Sequence, residues 1–259
     1  MNEIIDVERW LNHFHNNQQH RSEPQWDALM TLSPVVIAPL VKSIAQFELG
    51  DGGGPDMLIA WNAESFRSSS KERQVLTDLW FKEEKEHSRL LGDLVRRFGG
   101  THIRSHWSFT AFCLSRKCFG VGFELMVLLV TEIVSTAYYR LLYRHGEDAA
   151  LHGVCKLILR DEAGHVAFHR DRMARTAPYG YNRLWEAFLV VLAHGAASML
   201  LVNHAPALCA IGGSGREFFR EVRRELVRFL HRLRSDQFRA RCLGARIVQD
   251  KKSVKTVAG

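Results

Sequence analysis

Two short segments carry the same charged tetrad. Residues 80–87 read WFKEEKEH and residues 158–165 read ILRDEAGH, so each ends in Glu-x-x-His: Glu84 with His87, and Glu162 with His165. In an α-helix the i, i+3 spacing sets a carboxylate oxygen beside an imidazole nitrogen, and both can bind one metal ion. Each tetrad also interrupts an apolar stripe. Leu76, Trp80, Glu84, His87, Leu91, Leu94 and Phe98 follow the helical period, as do Leu151, Cys155, Ile158, Glu162, His165, His169 and Arg172. A carboxylate at a core position is costly unless it is paired, protonated or metal-bound. A solvated helix face therefore does not account for the two tetrads.

A dinuclear centre in a helical bundle needs one more carboxylate from each of two further helices. Residues equidistant from a tight turn between antiparallel helices lie at one height, which locates them. Reflecting Glu162 through a turn near residue 147 reaches Glu132, one of two acids in the apolar run 118–139; the other, Glu124, lies about two turns away. Reflecting the midpoint of Glu84 and His87 through a turn near residue 68 reaches residue 50 or 51. That selects Asp51, with Glu48, one turn earlier on the same face, as the alternative; Glu64 reflects to about residue 72 and is excluded. The expected metal ligands are Asp51, Glu84, His87, Glu132, Glu162 and His165. His169, one turn past His165, is expected behind them. Oxygen-rich ligation with two histidines favours iron or manganese over zinc.

These residues need long helices to hold them. The 259-residue chain is 46% apolar with only 6 prolines, and its apolar runs are long and periodic, which predicts an all-α fold in a single domain over 1–248. Helices are expected over 3–16, 34–66, 71–98, 110–144, 149–175, 182–203 and 215–240, with a weak point at GDGGG (50–54) and a disordered tail over 249–259. The metal-binding core is then 34–175, two antiparallel helix pairs each bearing one Glu-x-x-His.

The runs 118–139 and 187–202 are apolar, but the first holds two glutamates and the second is short, so both are expected as buried helices and not membrane spans. The opening MNEIIDVERW is acidic and amphipathic, unlike a signal peptide, and five cysteines without C-x-x-C spacing fit reduced thiols in the cytoplasm. The glycines at 52–54 lack the following Lys-Ser/Thr of a phosphate loop. The net charge is +7, and residues 216–246 hold ten arginines against four acids. With Phe219, Val222, Leu226, Phe229 and Leu233 at helical spacing, that segment reads as a basic amphipathic helix, its outer face solvated or docking an acidic partner.

The segments FELGD, EEKEH, LVTEIVSTAYYRLL and DEAGHVAFH resemble the ferritin-like di-metal carboxylate superfamily, and most closely a group of bacterial ferritin-like domain proteins of unassigned function. More distant members are acyl-carrier-protein desaturases and ribonucleotide reductase small subunits. The order acid, Glu-x-x-His, acid, Glu-x-x-His is shared over about residues 34–175. In that group the segment aligned with 47–51 usually reads Phe-Gln-Leu-Gly-Glu, which supports position 51 as the ligand; here it is Asp, and Glu48 replaces Gln. The resemblance implies a four-helix metal core with an N-terminal helix and two added C-terminal helices. It implies two iron ions, or a mixed manganese–iron pair, and casts Asp161 as the acceptor that orients His87. The implied activity is oxygen-dependent oxidation of a small or carrier-bound substrate, fed by an electron donor. A ferroxidase or peroxide scavenger, or a non-catalytic helical binding module with a degenerate metal site, are the alternatives. A second copy of the chain is a further candidate partner.

Overall fold

A computed structural model describes residues 6–68 and 70–257, with side chains as far as residue 242 apart from Arg73. Nine helices and no strands occur among the described residues. They are α1 (Val7–Gln19), α2 (Pro34–Gly52), α3 (Ala63–Ser68), α4 (Lys71–Arg97), α5 (Trp107–Cys118), α6 (Val121–His145), α7 (Ala149–Thr176), α8 (Arg183–Ala210) and α9 (Gly215–Val257). The helix expected over 215–240 runs on to Val257, so the tail expected to be disordered over 249–259 is helical as far as residue 257; residues 258 and 259 lie outside the described residues.

The helices form a bundle built on two antiparallel pairs. In α2 and α4, Glu48 lies against Gly92 and Val41 against Gly100, so the chains run in opposite directions. The α6–α7 turn spans only residues 146–148. Asp148 makes it rigid: its carboxylate caps α7 by accepting from Leu151 N at 2.9 Å and receives Arg97 Nη2 at 2.8 Å, which ties the end of α4 to the turn. Helix α6 is apolar on every side and most of it is buried, as expected of a helix enclosed by neighbours. It packs against α7, α8 and α9, and α4 packs against α7.

Two expected helices are broken. The helix expected over 34–66 ends at Gly52, because three glycines and Pro55 cannot sustain it, and α3 follows as a separate piece. The helix expected over 110–144 divides at Phe119 and Gly120 into α5 and α6, and the Asn62 side chain caps the new start by accepting from Val121 N at 2.8 Å. Burial corrects one further expectation. Helix α8, expected to be buried, packs through Leu189, Ala193 and Ala197 but leaves Leu184, Phe188, Val191 and Val202 exposed. By length and composition α6 and α8 could each cross a membrane; α6 is instead mostly interior. On α9 the inward stripe is Phe218, Val222, Leu226, Phe229 and Leu233, with Phe218 in the place expected for Phe219.

Glu124 shows why a buried acid need not be a ligand. It is fully buried on α6, accepts from Ile59 N at 2.8 Å and Ala60 N at 2.9 Å, and receives Arg116 Nε at 3.0 Å. It therefore anchors the irregular segment after α2, while Glu64 is exposed on α3. Replacing Glu124 with alanine strands a buried arginine and two amides, so we expect a loss of about 3–5 kcal/mol in chemical denaturation with metal content per folded chain unchanged.

Candidate metal centre

The helical period delivers both tetrads to the interior. His87 and His165 are fully buried, and their ring centroids stand 5.8 Å apart between α4 and α7. Ligand atoms of Glu84, Glu132, Glu162 and His165 lie within 4.8 Å of one another, and so do those of Asp51, Glu84 and His87. Each set could hold a metal ion, and Glu84 belongs to both. All six residues selected from the sequence thus come together, at the ends or middles of four different helices.

Glu48 does not join them. Its carboxylate turns to His102 Nδ1 at 2.5 Å. Asp51 reaches the site because α2 approaches α4 closely: a Cβ on Gly52 would lie 2.1 Å from Ser88 Oγ, and the Ser88 hydroxyl donates to Glu48 O at 3.1 Å. Only glycine permits that spacing, and it compensates for the short side chain at position 51.

The histidines are held from behind in a reciprocal pattern. His87 Nε2 lies 3.2 Å from Asp161 on α7, and His165 Nε2 lies 3.0 Å from Glu83 on α4. Each helix thus orients the histidine of the other. Glu83 escaped the sequence reading, although its signal was present: an acid directly precedes the metal-facing glutamate in both tetrads, Glu83–Glu84 and Asp161–Glu162. Arg21 bridges the two outer acids, at 3.2 Å from Glu83 and 2.7 Å from Asp161. Helix α1 closes this side. Trp10 and Phe14 pack on Phe168, Phe14 reaches the His165 ring, and Gly164 leaves just enough room for His13. His169 is buried against Trp80 but makes no hydrogen bond through either ring nitrogen, so it does not orient a ligand.

The inward atoms are the reverse of the outward ones. Glu84 Oε1, His87 Nδ1, Glu162 Oε2 and His165 Nδ1 are buried and take no hydrogen bond from outside the cluster; His165 Nδ1 stands 2.9 Å from Glu84 Oε1. Carboxylate oxygens and imidazole nitrogens that converge in a buried space, and can give up their protons together, are what a cation requires. Electrostatics agree. Burial and the neighbouring Glu84 and Glu132 carboxylates push Asp51 well above the carboxylate range, and burial and Glu132 do the same to Glu162. Burial also opposes the charge on Glu84, yet His165 and His87 outweigh it and hold that carboxyl low. Both histidines are raised against the effect of burial, His87 by Asp161 and Glu84, His165 first by Glu84. Without a cation, the cluster keeps protons.

A cavity of about 180 Å³ adjoins the centre. Asp51, Glu84, Glu132 and Glu162 form part of its wall, and Phe47, Phe81, Phe109, Leu128, Met199 and Leu200 much of the rest. A second cavity of about 140 Å³ between α6, α7 and α9 touches Glu162 from elsewhere. Its arginines Arg140 and Arg228 pair with Glu225, and Arg170 with Asp236.

No family model, curated protein or solved structure matches this chain. The site must be read from its own geometry.

Two outcomes follow from it. Asp51, Glu162, His87 and His165 all have raised values in the folded chain, so their stabilisation is complete at low pH and is lost as pH rises through those values. Melting curves of the metal-free protein should therefore shift downward between about pH 7 and about pH 9, above the range in which His13, His169 and His204, whose values burial lowers, act in the opposite sense, and a divalent metal should flatten the change. A rising or level metal-free curve would contradict this. Removing the orienting acids, as Glu83→Gln or Asp161→Asn, should weaken metal binding by about 10–100-fold in a competitive chelator titration while the fold persists.

Proposed function

We propose that this chain is a dinuclear carboxylate oxidoreductase that uses molecular oxygen to oxidise a small molecule held in the apolar cavity. The observation that carries the reading is that the same four carboxylates are both able to ligate metal and exposed on the cavity wall. A site serving iron alone has no need of a chamber lined with phenylalanine, leucine and methionine, whereas an organic substrate does.

Asp51, Glu84 and His87 would hold one ion, and Glu132, Glu162 and His165 the other, with Glu84 within reach of both. Four carboxylates balance the charge of two divalent ions, and the oxygen and imidazole donors fit iron, with manganese–iron as the variant. Ferrous iron held by these residues would supply the electrons for reduction of oxygen. The chain's own residues do the positioning. Glu83 and Asp161 keep the histidine Nε2 atoms engaged and their Nδ1 atoms turned inward. Helix α1 keeps water from the histidine side, and the cavity on the other side is walled largely by apolar and aromatic side chains. The order acid, Glu-x-x-His, acid, Glu-x-x-His on two antiparallel helix pairs supports placing the chain with ferritin-like di-metal proteins.

Stopped-flow absorbance after mixing ferrous protein with oxygen tests the reading. The wild type should show rapid oxidation, Asp51→Asn should lose it by at least about tenfold, and Glu48→Gln should react like the wild type. A normal Asp51→Asn reaction with an inert Glu48→Gln would move the ligand to Glu48. A wild type that binds two irons yet never reacts with oxygen would end the proposal.

A further inference from the structure

The cavity has a polar feature that metal binding leaves unexplained. His204 of α8 lines it, and His204 Nδ1 lies 2.8 Å from Ser43 Oγ, which lies 2.6 Å from the Tyr138 hydroxyl. All three side chains are buried. Ser43 precedes Asp51 by eight residues on α2, about 12 Å by helix rise, so this chain of hydroxyls sits about two turns from the carboxylates.

Proton counting fixes its direction. Ser43 is the one hydrogen-bond partner of the Tyr138 hydroxyl among the described residues. Were His204 Nδ1 to donate to Ser43, either the phenolic proton or the Ser43 proton would be buried with no acceptor among the described residues, which is strongly disfavoured. In the opposite order every proton is used: Tyr138 donates to Ser43, and Ser43 donates to Nδ1. The imidazole proton then resides on Nε2. Burial, with a smaller contribution from His106, lowers His204 to about 3, so the ring stays neutral near pH 7. Thr131 and Ser135, which also line the cavity, give their hydroxyl protons to backbone carbonyls, Asn203 gives an amide proton to Met199 O, and Gln46 adds an unpartnered Oε1.

Beyond the four carboxylates, whose charge two divalent ions would balance, the described lining offers no free charge to a ligand. Arg116 is the permanent cation among the described lining residues, and it is committed, through Nε to Glu124 and through Nη2 to the Met57 carbonyl at 2.7 Å. As for size, a cavity of about 150 Å³ accepts a benzene ring, and this one measures about 180 Å³.

We propose that the cavity takes an uncharged molecule of single-ring size bearing one oxygen acceptor, which receives the Nε2–H of His204 while the apolar body turns toward Asp51 and Glu132. This rests on the cavity being the substrate chamber of the metal centre. It names the substrate class and makes His204 a specificity-determining residue, with Ser43 and Tyr138 as positioning residues that fix its tautomer.

Calorimetric titration of the full chain, metal-free and iron-loaded without oxygen, tests the assignment with probes of one shape. Acetophenone carries the acceptor, α-methylstyrene replaces its oxygen by a methylene group, and benzoate adds charge. In both forms of the wild type, acetophenone should bind about tenfold more tightly than α-methylstyrene, and in the metal-free form benzoate should bind more weakly than acetophenone. His204→Leu should bring the first two probes within about twofold by weakening acetophenone alone, and Ser43→Ala, which frees the tautomer, should narrow the gap. Equal wild-type affinities, benzoate as the best metal-free ligand, or a gap that survives in His204→Leu would each overturn the proposal. If His204→Leu fails to fold, the wild-type ratio and Ser43→Ala still decide. A chain that shows these preferences but never reacts with oxygen would refute the oxidase reading alone; one that reacts with oxygen but lacks them would refute this inference alone.

Discussion

Four carboxylates converging inside a helical core are the constraint on which the rest of this structure depends. Like charges so close and so dry cannot all remain ionised, and the fold answers at three distances. The nearest answer is the pair of histidines set between the glutamates, with His165 Nδ1 at 2.9 Å from Glu84. Behind them lie Glu83 and Asp161, each bonded to the histidine of the opposite helix. Arg21 then joins those two acids from outside the bundle. The polar centre also partitions the interior. One apolar cluster gathers Trp10, Phe14, Leu58, Trp80, Phe81, Val121 and Leu128; the larger one gathers the opposite ends of α4, α6 and α7 with α8 and α9. Stability comes from the two clusters, and the seam between them is free to carry chemistry.

The parts legible in the sequence were those governed by local periodicity. A glutamate and a histidine in phase with Leu76, Trp80, Leu91 and Leu94 had to point inward, because three or four residues return a helix to the same face. Glu132 followed from the short turn at 146–148, where reflection is sound geometry. Asp51 was reached by a weaker route. Reflection treated α2 as continuous to a turn near residue 68, whereas the helix ends at Gly52 and the chain wanders before α4 begins. What sets Asp51 at the level of Glu84 is the close contact of Gly52 with Ser88. A one-dimensional pattern cannot show that contact, although it can show that glycine allows it.

Long-range relations were not legible. In α6 apolar residues fall on every side, so the sequence could not say which side would meet α7, α8 or α9. For α8 the same composition suggested burial, yet one face is left outside, because exposure depends on how many neighbours the fold supplies and not on hydropathy. The Ser43–Tyr138–His204 chain joins α2, α6 and α8, with 95 and 161 residues separating Ser43 from its two partners. No spacing rule connects such residues. His204 alone reads as an isolated histidine in an apolar helix.

The two misjudged helices share a cause with the cavity. Where continuity was expected through 50–54 and through 118–120, the backbone instead breaks, and residues freed by the breaks form the chamber: Gly54 and Pro55 after α2, and Ser108, Phe109, Phe112 and Arg116 on the detached α5. Unbroken helices packed side by side would have filled this space with interdigitating side chains. A break at the level of Asp51 instead leaves carboxylates facing a void, and Glu124 holds the loosened segment in place through Ile59, Ala60 and Arg116. The breaks after Gly52 and at 119–120 thus lie on the cavity side of the centre, while helix α1 and Arg21 cover the histidine side. Departures from ideal local structure concentrate at functional sites because a packed core leaves nothing for a ligand to occupy.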